Sequence, residues 1–311
     1  MRSNRIPGAE SLWTEPSLDD LDLAILCTVA YADVFDYPLT PAQIHRYLVG
    51  MEANQADILQ ALDGDRFAHR GLGRRGAYVT LRERSELVKL REWRGQVATQ
   101  MWPLALRYGQ AIAALPFVRA VFLTGALAVA NVDPGDDFDF MIVTAPNRLW
   151  LARAIVIGLV VKPAARRGHE ICPNYLLSLL RLDFEEQNLY IAHELAQMIP
   201  LVGIRIYHRM RAVNHWMMRF LPNARGLPRP VDPITAPPSS ATPLVELALG
   251  TALGGMLEDL ERGRKIRRFT ALEGDERTTC FSADRCKGHF ESNEGATLEA
   301  FDERLRKLAG L

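Results

Sequence analysis

FVRAVFLTGALAVANVDPGDDFDFMIV, residues 117–143, is the stretch on which the fold turns. Its first part, Phe117 to Leu123, is apolar and β-prone, and it runs into Gly125, where the chain has to turn. From Asp137 onward the residues alternate strictly. Asp137, Asp139 and Met141 share one side; Phe138, Phe140 and Ile142 share the other. A period of two marks a strand with one face in a core. The apolar side fixes the register, because a slip of one residue would bury both carboxylates. The two acids then stand on one strand face, about 7 Å apart along the chain. Opposite a glycine turn, such a pair makes a seat for a divalent metal and phosphate. The loop acids from Asp133 to Asp137 read as a solvated turn. Asp139 does not, since a carboxylate set between two phenylalanines inside a strand is disfavoured there and needs a partner if buried.

Gly125-Ala126, ten intervening residues and then Asp137-Phe138-Asp139 resembles the signature of the polymerase-β-like nucleotidyltransferase superfamily. That signature is an apolar strand, Gly-Ser or Gly-Gly, a spacer of about this length, and Asp-x-Asp among apolar residues. More broadly the chain is similar to bacterial nucleotidyltransferase-domain proteins, in segments such as Asn174-Tyr-Leu-Leu, Ala192-His-Glu-Leu-Ala-Gln-Met and Lys287-Gly-His289. The resemblance implies a mixed sheet flanked by helices and transfer of a nucleoside monophosphate from an NTP to an acceptor hydroxyl. It implies Mg²⁺ or Mn²⁺ on Asp137 and Asp139, and a third acid as ligand or base. Gly125, Ala126 and Arg148 become candidates for holding the nucleotide. Two positions depart from the pattern. Ala126 stands where Ser or Gly is usual, and Glu170 is the one acid in the candidate third strand, Glu170 to Leu179, with Asn174 the alternative occupant of that place.

The chain of 311 residues exceeds one typical domain, and its 48% apolar and 24% charged content is ordinary for a globular protein. A formal net charge of zero gives no global pull toward nucleic acid or anionic membrane. Neither a signal peptide nor a membrane-length apolar run is visible, the longest uncharged apolar run being Ala154 to Val161. Cys27 and Cys172 sit in apolar runs, as thiols do in a reducing compartment, so a cytoplasmic protein is expected.

The organisation reads as α/β (α+β) in five parts: 1–82, an arm and a winged-helix-like domain; 83–182, the nucleotidyltransferase-like core with a connecting helix; 183–222, a helical extension; 223–243, a linker; 244–311, a helical and polar C-terminal region. In the first part a helix over Asp19 to Val34 is followed by Thr40 as N-cap with Pro41 at the first helical position. A third helix fits Gln55 to Leu62, and Gly71 to Gly76 reads as the tip of a hairpin between Arg66–His69 and Tyr78–Leu81. Arg70, Arg74 and Arg75 on that tip are candidates for nucleic-acid contact, although the helix over Gln55 to Leu62 carries no Arg or Lys for base readout.

Arg82 to Leu115 reads as a connector helix that Pro103 should kink or break. Asn147 reads as the N-cap of a helix over Arg148 to Val161, and Asp183 to Leu221 as strongly helical. Lys162, Arg166 and Arg167 suit a solvated helix end or contact with an anion. His193-Glu194 fails as a zinc-protease motif, because position 197 is Gln. Leu221 to Pro243, with seven prolines in 23 residues, cannot be a regular element. A helix from Thr242 or Pro243 to about Arg268 should follow. Cys280, Cys286 and His289 match no common zinc spacing. Besides the enzyme, two readings stay open: a nucleotide-binding protein of the same fold without turnover, and a nucleic-acid-binding regulator working through its N-terminal domain. The partner expected is an NTP; the acceptor is not readable.

Overall fold

The computed structural model describes residues 20–63, 71–230, 242–270, 281–287 and 293–309. The N-terminal arm, Arg66 to Arg70, the middle of the proline-rich linker, Cys280 and His289 lie outside the described residues. No helix among the described residues is long and apolar enough to cross a membrane.

The N-terminal part is built on well-made helix starts. The Asp20 carboxylate accepts from the backbone N–H groups of Asp22 and Leu23 and opens α1 (Leu21–Asp33). Thr40 and Gln43 exchange side-chain and backbone hydrogen bonds at 3.3 and 2.9 Å, a capping box that starts α2 (Pro41–Arg46). After α3 (Gln55–Asp63), β1 (Leu72–Arg75) and β2 (Tyr78–Leu81) pair antiparallel across a two-residue turn, Gly76-Ala77, and Leu39 bridges to Val79. A strand of the described hairpin thus lies in the glycine-rich stretch itself, and its tip is Gly76-Ala77.

The second helix-rich layer begins with α4 (Leu87–Ala113), which runs through Pro103 without a break. A proline inside a helix costs about 3 kcal/mol. Here burial of Val97, Ala98, Ala105, Tyr108 and Ile112 on both sides of it holds the helix to the sheet. The core follows as β3 (Val118–Leu123), a short α5 (Gly125–Ala128), β4 (Phe138–Thr144) and α6 (Leu149–Val156). A π turn over Ile157–Val161 leads into α7 (Lys162–Ala165), and β5 (Ile171–Ser178) comes next. Asp183 to Leu221 is less helical than its composition suggests. It forms α8 (Leu189–Gln197), a strand β6 (Ile199–Val202), α9 (Ile204–Val213) and a 3-10 turn over His215–Arg219. The expected long C-terminal helix is two, α10 (Thr242–Leu249) and α11 (Ala252–Thr270), before β7 (Arg285–Lys287) and α12 (Asn293–Ala309).

The five-stranded sheet has the order β6-β3-β4-β5-β7, with β4 and β5 parallel and the other neighbours antiparallel. The alternation of β4 sets its two faces. Phe138, Phe140 and Ile142 join Val121, Leu123 and Leu176 in a cluster against α4 and α6. Met141 and Val143 join Ala120, Phe122, Tyr175 and Leu177 in another, continuous with α1–α3, α8, α9 and α12. The N-terminal helices thus share a core with the acid-bearing face of the sheet.

Two glutamates from the C-terminal region tie down the far end of the sheet. Glu246 accepts from the Phe117 N–H at 2.5 Å and pairs with both terminal nitrogens of Arg119, and the Arg119 guanidinium holds its carboxyl below the usual range. Glu258 accepts from the N–H groups of Trp150 and Leu151 at 2.8 and 2.7 Å. Glu258, not Asn147, therefore caps α6; Asn147 instead adopts a left-handed turn with φ 57°.

Candidate functional site

β4 enters the sheet at Phe138, so Asp137 and Asp139 sit at the strand end that faces the N-terminal helices. The other loop acids are spent on structure. Arg94 takes both oxygens of Asp133 at 2.8 Å each, and Asp136 accepts from the Asp133 N–H at 2.8 Å. Ligand atoms of Asp137, Asp139 and Cys172 all lie within 4.8 Å of one another. Cys172 reaches that position because β5 pairs it directly with Asp139. The next paired residues are Met141 and Tyr175, so β5 spends three steps where β4 spends two. The irregularity falls at Pro173, which has no N–H to give to the ladder.

Gly125 meets this cluster from the opposite strand end. Its φ is +67°, and a Cβ built on it would lie 2.1 Å from Asp139 Oδ2. The glycine anticipated as a close approach for phosphate is, first, the space into which the Asp139 carboxylate fits. Burial pushes the Asp139 carboxyl up to about 8, with Asp137 and Glu194 adding to the effect and a hydrogen bond from Cys172 opposing it. Burial and both aspartates also raise the Cys172 thiol, which keeps it a hydrogen-bond donor beside the acids. Two carboxylates converging from one strand suit a hard divalent cation, which completes its shell with water and phosphate oxygens.

The acids open into a cavity of about 560 Å³ between the sheet, α1, α8 and α12. Gly125 and Ala126 line it, as do Asn174 and Tyr175 from β5. Its aromatic walls include Tyr31, Tyr37, Tyr47 and Tyr190. Tyr37 is fixed by three hydrogen bonds: its hydroxyl donates to the Val129 carbonyl at 2.6 Å and accepts from Gln43 and Arg91. His193 stacks on Tyr31 with ring centroids 4.0 Å apart, and its Nδ1–H donates to the Leu189 carbonyl at 2.9 Å. Burial lowers His193 to about 4, so the ring is neutral at physiological pH. Glu194, on the next turn position, lines the cavity, and burial raises its carboxyl to about 7 against the pull of Lys287. Lys287 itself bonds Glu294 at 3.1 Å, while Asn188 donates to the other Glu294 oxygen at 2.6 Å. The α12 wall is anchored to α1 through Arg304 and the buried Asp33, 2.7 Å apart.

Two sequence candidates stand apart from this cluster. Glu170 is exposed just before β5; its carbonyl accepts from the Phe138 N–H, and its side chain is not in the cavity wall, which Asn174 lines from β5, while Cys172 stands beside the two aspartates. Arg148 follows the opposite end of β4, roughly 20 Å away at about 3.3 Å per residue. It donates to the Leu249 carbonyl at 3.1 Å and covers the Phe117 ring. Lys162, Arg166 and Arg167 are exposed outside the cavity. Conversely, Glu194 and the tyrosines come from segments far apart in sequence. Lys287 lies in the wall; Gly288 and His289 fall outside the described residues. No protein-family profile, curated protein or solved structure matches the chain.

Proposed function

We propose that the chain is a metal-dependent nucleotidyltransferase, with Asp137 and Asp139 holding a divalent cation, Mg²⁺ or Mn²⁺, and the phosphates of an NTP. The observation that carries this reading is the convergence of the two carboxylates in the wall of a cavity that tyrosine rings also line. Bound there, the cation offsets phosphate charge and lowers the pKa of an acceptor hydroxyl. The hydroxyl oxygen forms a bond to the α-phosphorus, the bond to pyrophosphate breaks, and the hydroxyl proton leaves to solvent. Gly125 keeps the backbone low beside Asp139, and the tyrosine rings offer stacking faces for the base or for the acceptor. Lys287 is the cation in the described wall that can meet a leaving phosphate, once freed from Glu294. Glu170 has no part in this assignment. The test is a set of α-labelled NTPs with Mg²⁺ or Mn²⁺ and candidate acceptors: transfer by the wild type and none by Asp139→Asn supports the reading. Transfer that persists in Asp139→Asn refutes it.

The placement of Glu170 outside the cavity favours a second reading, nucleotide binding without turnover. Tight nucleotide binding with no pyrophosphate release would select it. Nucleic-acid binding through a winged-helix-like N-terminal part has less behind it. Arg74 is paired to Asp63 at 2.9 Å, although an exposed pair of that kind is worth under about 1 kcal/mol and yields readily to phosphate. Salt-dependent duplex binding lost in Arg74→Ala/Arg75→Ala would support it.

A further inference from the structure

Between Glu194 and Asp232 the chain carries six arginines, two histidines, no lysine and no acid, although its net charge is zero. Folding gathers much of this charge on one side. α9 buries Tyr207 and Met210 and exposes Arg205, His208, Arg209 and Ala212, which recur at i, i+3, i+4 and i+7 along its outer face. Arg205 and Arg209 stand one turn apart and repel each other, and neither has a hydrogen bond or ion pair with a described residue. Arg205 also lies in the first turn, where the helix dipole disfavours a cation. A helix laid out for stability alone would carry acids at such positions. Local choices that oppose the fold are expected where function holds them.

Beside that face lies a groove of about 640 Å³, between α9, the 3-10 turn and the chain from Pro222 to Gly226. His208, Arg211, His215 and Arg225 line it, with Glu52 the one acid among the described residues of its wall. The Arg211 guanidinium is held by the carbonyls of Leu195 and Ala224, and that of Arg46, next to the groove, by those of Arg225 and Gly226. Carbonyls fix a guanidinium without neutralising it, so the positive charge stays in place and unbalanced. Glu52 pairs with Arg225 at 2.7 Å, both side chains being more than half exposed. A pair of that kind is weak and yields readily to a stronger anion.

We propose that this groove binds a single strand of nucleic acid, its phosphates running along Arg205, Arg209 and Arg225 and its bases lying toward His208 and His215. Arginine forks suit phosphate oxygens, and imidazole rings and guanidinium planes offer the faces on which unpaired bases stack. An acidic peptide would use the charge but not the rings. An anionic bilayer would need a convex apolar ridge, and α9 exposes large apolar side chains only at its two ends, Ile204 and Val213. None of the groove residues belongs to the hairpin tip or to the aspartate cavity, so the inference does not rest on the transferase reading.

Fluorescence anisotropy of a labelled oligouridylate, about 12 nucleotides long to span such a groove, tests this on the full chain without metal or NTP. Saturable binding is expected. Three phosphates neutralised on a single strand give a salt slope of about −2, hence a roughly eighteenfold loss of affinity between about 50 and 200 mM salt. Arg205→Ala/Arg209→Ala, both on the exposed face of α9, should bind roughly tenfold more weakly and with a shallower slope, while circular dichroism shows the fold intact. Glu52→Gln, which frees Arg225, should bind more tightly, and Arg74→Ala/Arg75→Ala as the wild type does. Four results each overturn the inference: no binding by the wild type at the lower salt, unchanged affinity in the Arg205/Arg209 variant, loss of binding in the Arg74/Arg75 variant, or equal binding of polyglutamate. Label transfer from NTP bears on the transferase reading alone.

Discussion

Gly125 and Asp139 fit together as a pair: the carboxylate of one occupies the place where the other would carry a side chain, 2.1 Å from the position of a Cβ. The pairing links a turn residue to the chemistry of the strand beside it. Gly125→Ala must both adopt φ +67° with a β-carbon and displace the Asp139 carboxylate. A loss of about 1–3 kcal/mol is expected from the backbone alone, measured by urea unfolding. Mn²⁺ affinity should fall with it. Unchanged stability and unchanged metal binding would show that the carboxylate has room to move.

Asp139 and Glu194 make the empty protein less stable as pH rises. An acid at about 8 in the fold, against 3.8 ordinarily, keeps its proton after the unfolded chain has lost its own. Stability contributed by the protonated form is therefore full below about 4 and drains away up to about 8. Glu194, at about 7, acts in the same direction. Between pH 6.5 and 8, Asp139→Asn should flatten that decline and gain on the order of 1–2 kcal/mol at pH 8. Denaturant melts at several pH values check it. A steeper decline in the variant would mean the carboxylate is already well paired in the fold.

His193 acts in the opposite sense and in a lower window. Its folded value of about 4 lies below the usual 6.5, so the unfolded chain takes up the proton first. Stability is complete above 6.5 and is lost as pH falls toward 4, by roughly 3 kcal/mol for a shift of this size. His193→Phe, which keeps a ring to stack on Tyr31, should remove most of that acid sensitivity. Proton NMR of the imidazole in the native protein reads the same quantity. A His193 titrating near 6.5 would contradict its enclosure.

At the far end of the sheet, Glu258 replaces the local cap that the sequence lacks. Glu258→Ala leaves the N–H groups of Trp150 and Leu151 without their acceptor. The expected cost is about 2 kcal/mol, seen as a lower denaturant midpoint, with Mn²⁺ affinity unaffected. A coupled loss of metal binding would mean that the two ends of β4 are not independent.

The β4 alternation and the capping at Thr40 were legible because each is written in neighbouring residues, as strand period and N-cap chemistry are. Pro103 misled because the local cost of a helical proline was outweighed by burial on both sides of it. β6 was hidden in a segment whose composition favours helix, since pairing with β3 is a tertiary fact. The site was half legible. Asp137 and Asp139 declare themselves two residues apart. The third position was assigned to Glu170 as the one acid in the candidate strand, but β5 begins at Ile171 and Glu170 lies exposed just before it. Glu194 and the tyrosine wall could not be read as one site, because folding alone brings α1, α8 and α12 to the same cavity.

The central claim is that the Asp137–Asp139 pair grips a divalent cation together with the polyphosphate it carries. Water-proton relaxation during Mn²⁺ titration measures this directly, with and without NTP. One saturable site is expected, tightened by NTP and weakened at least tenfold in Asp139→Asn. A wild-type protein with no saturable Mn²⁺ site, or a variant that binds Mn²⁺ as the wild type does, would contradict the account.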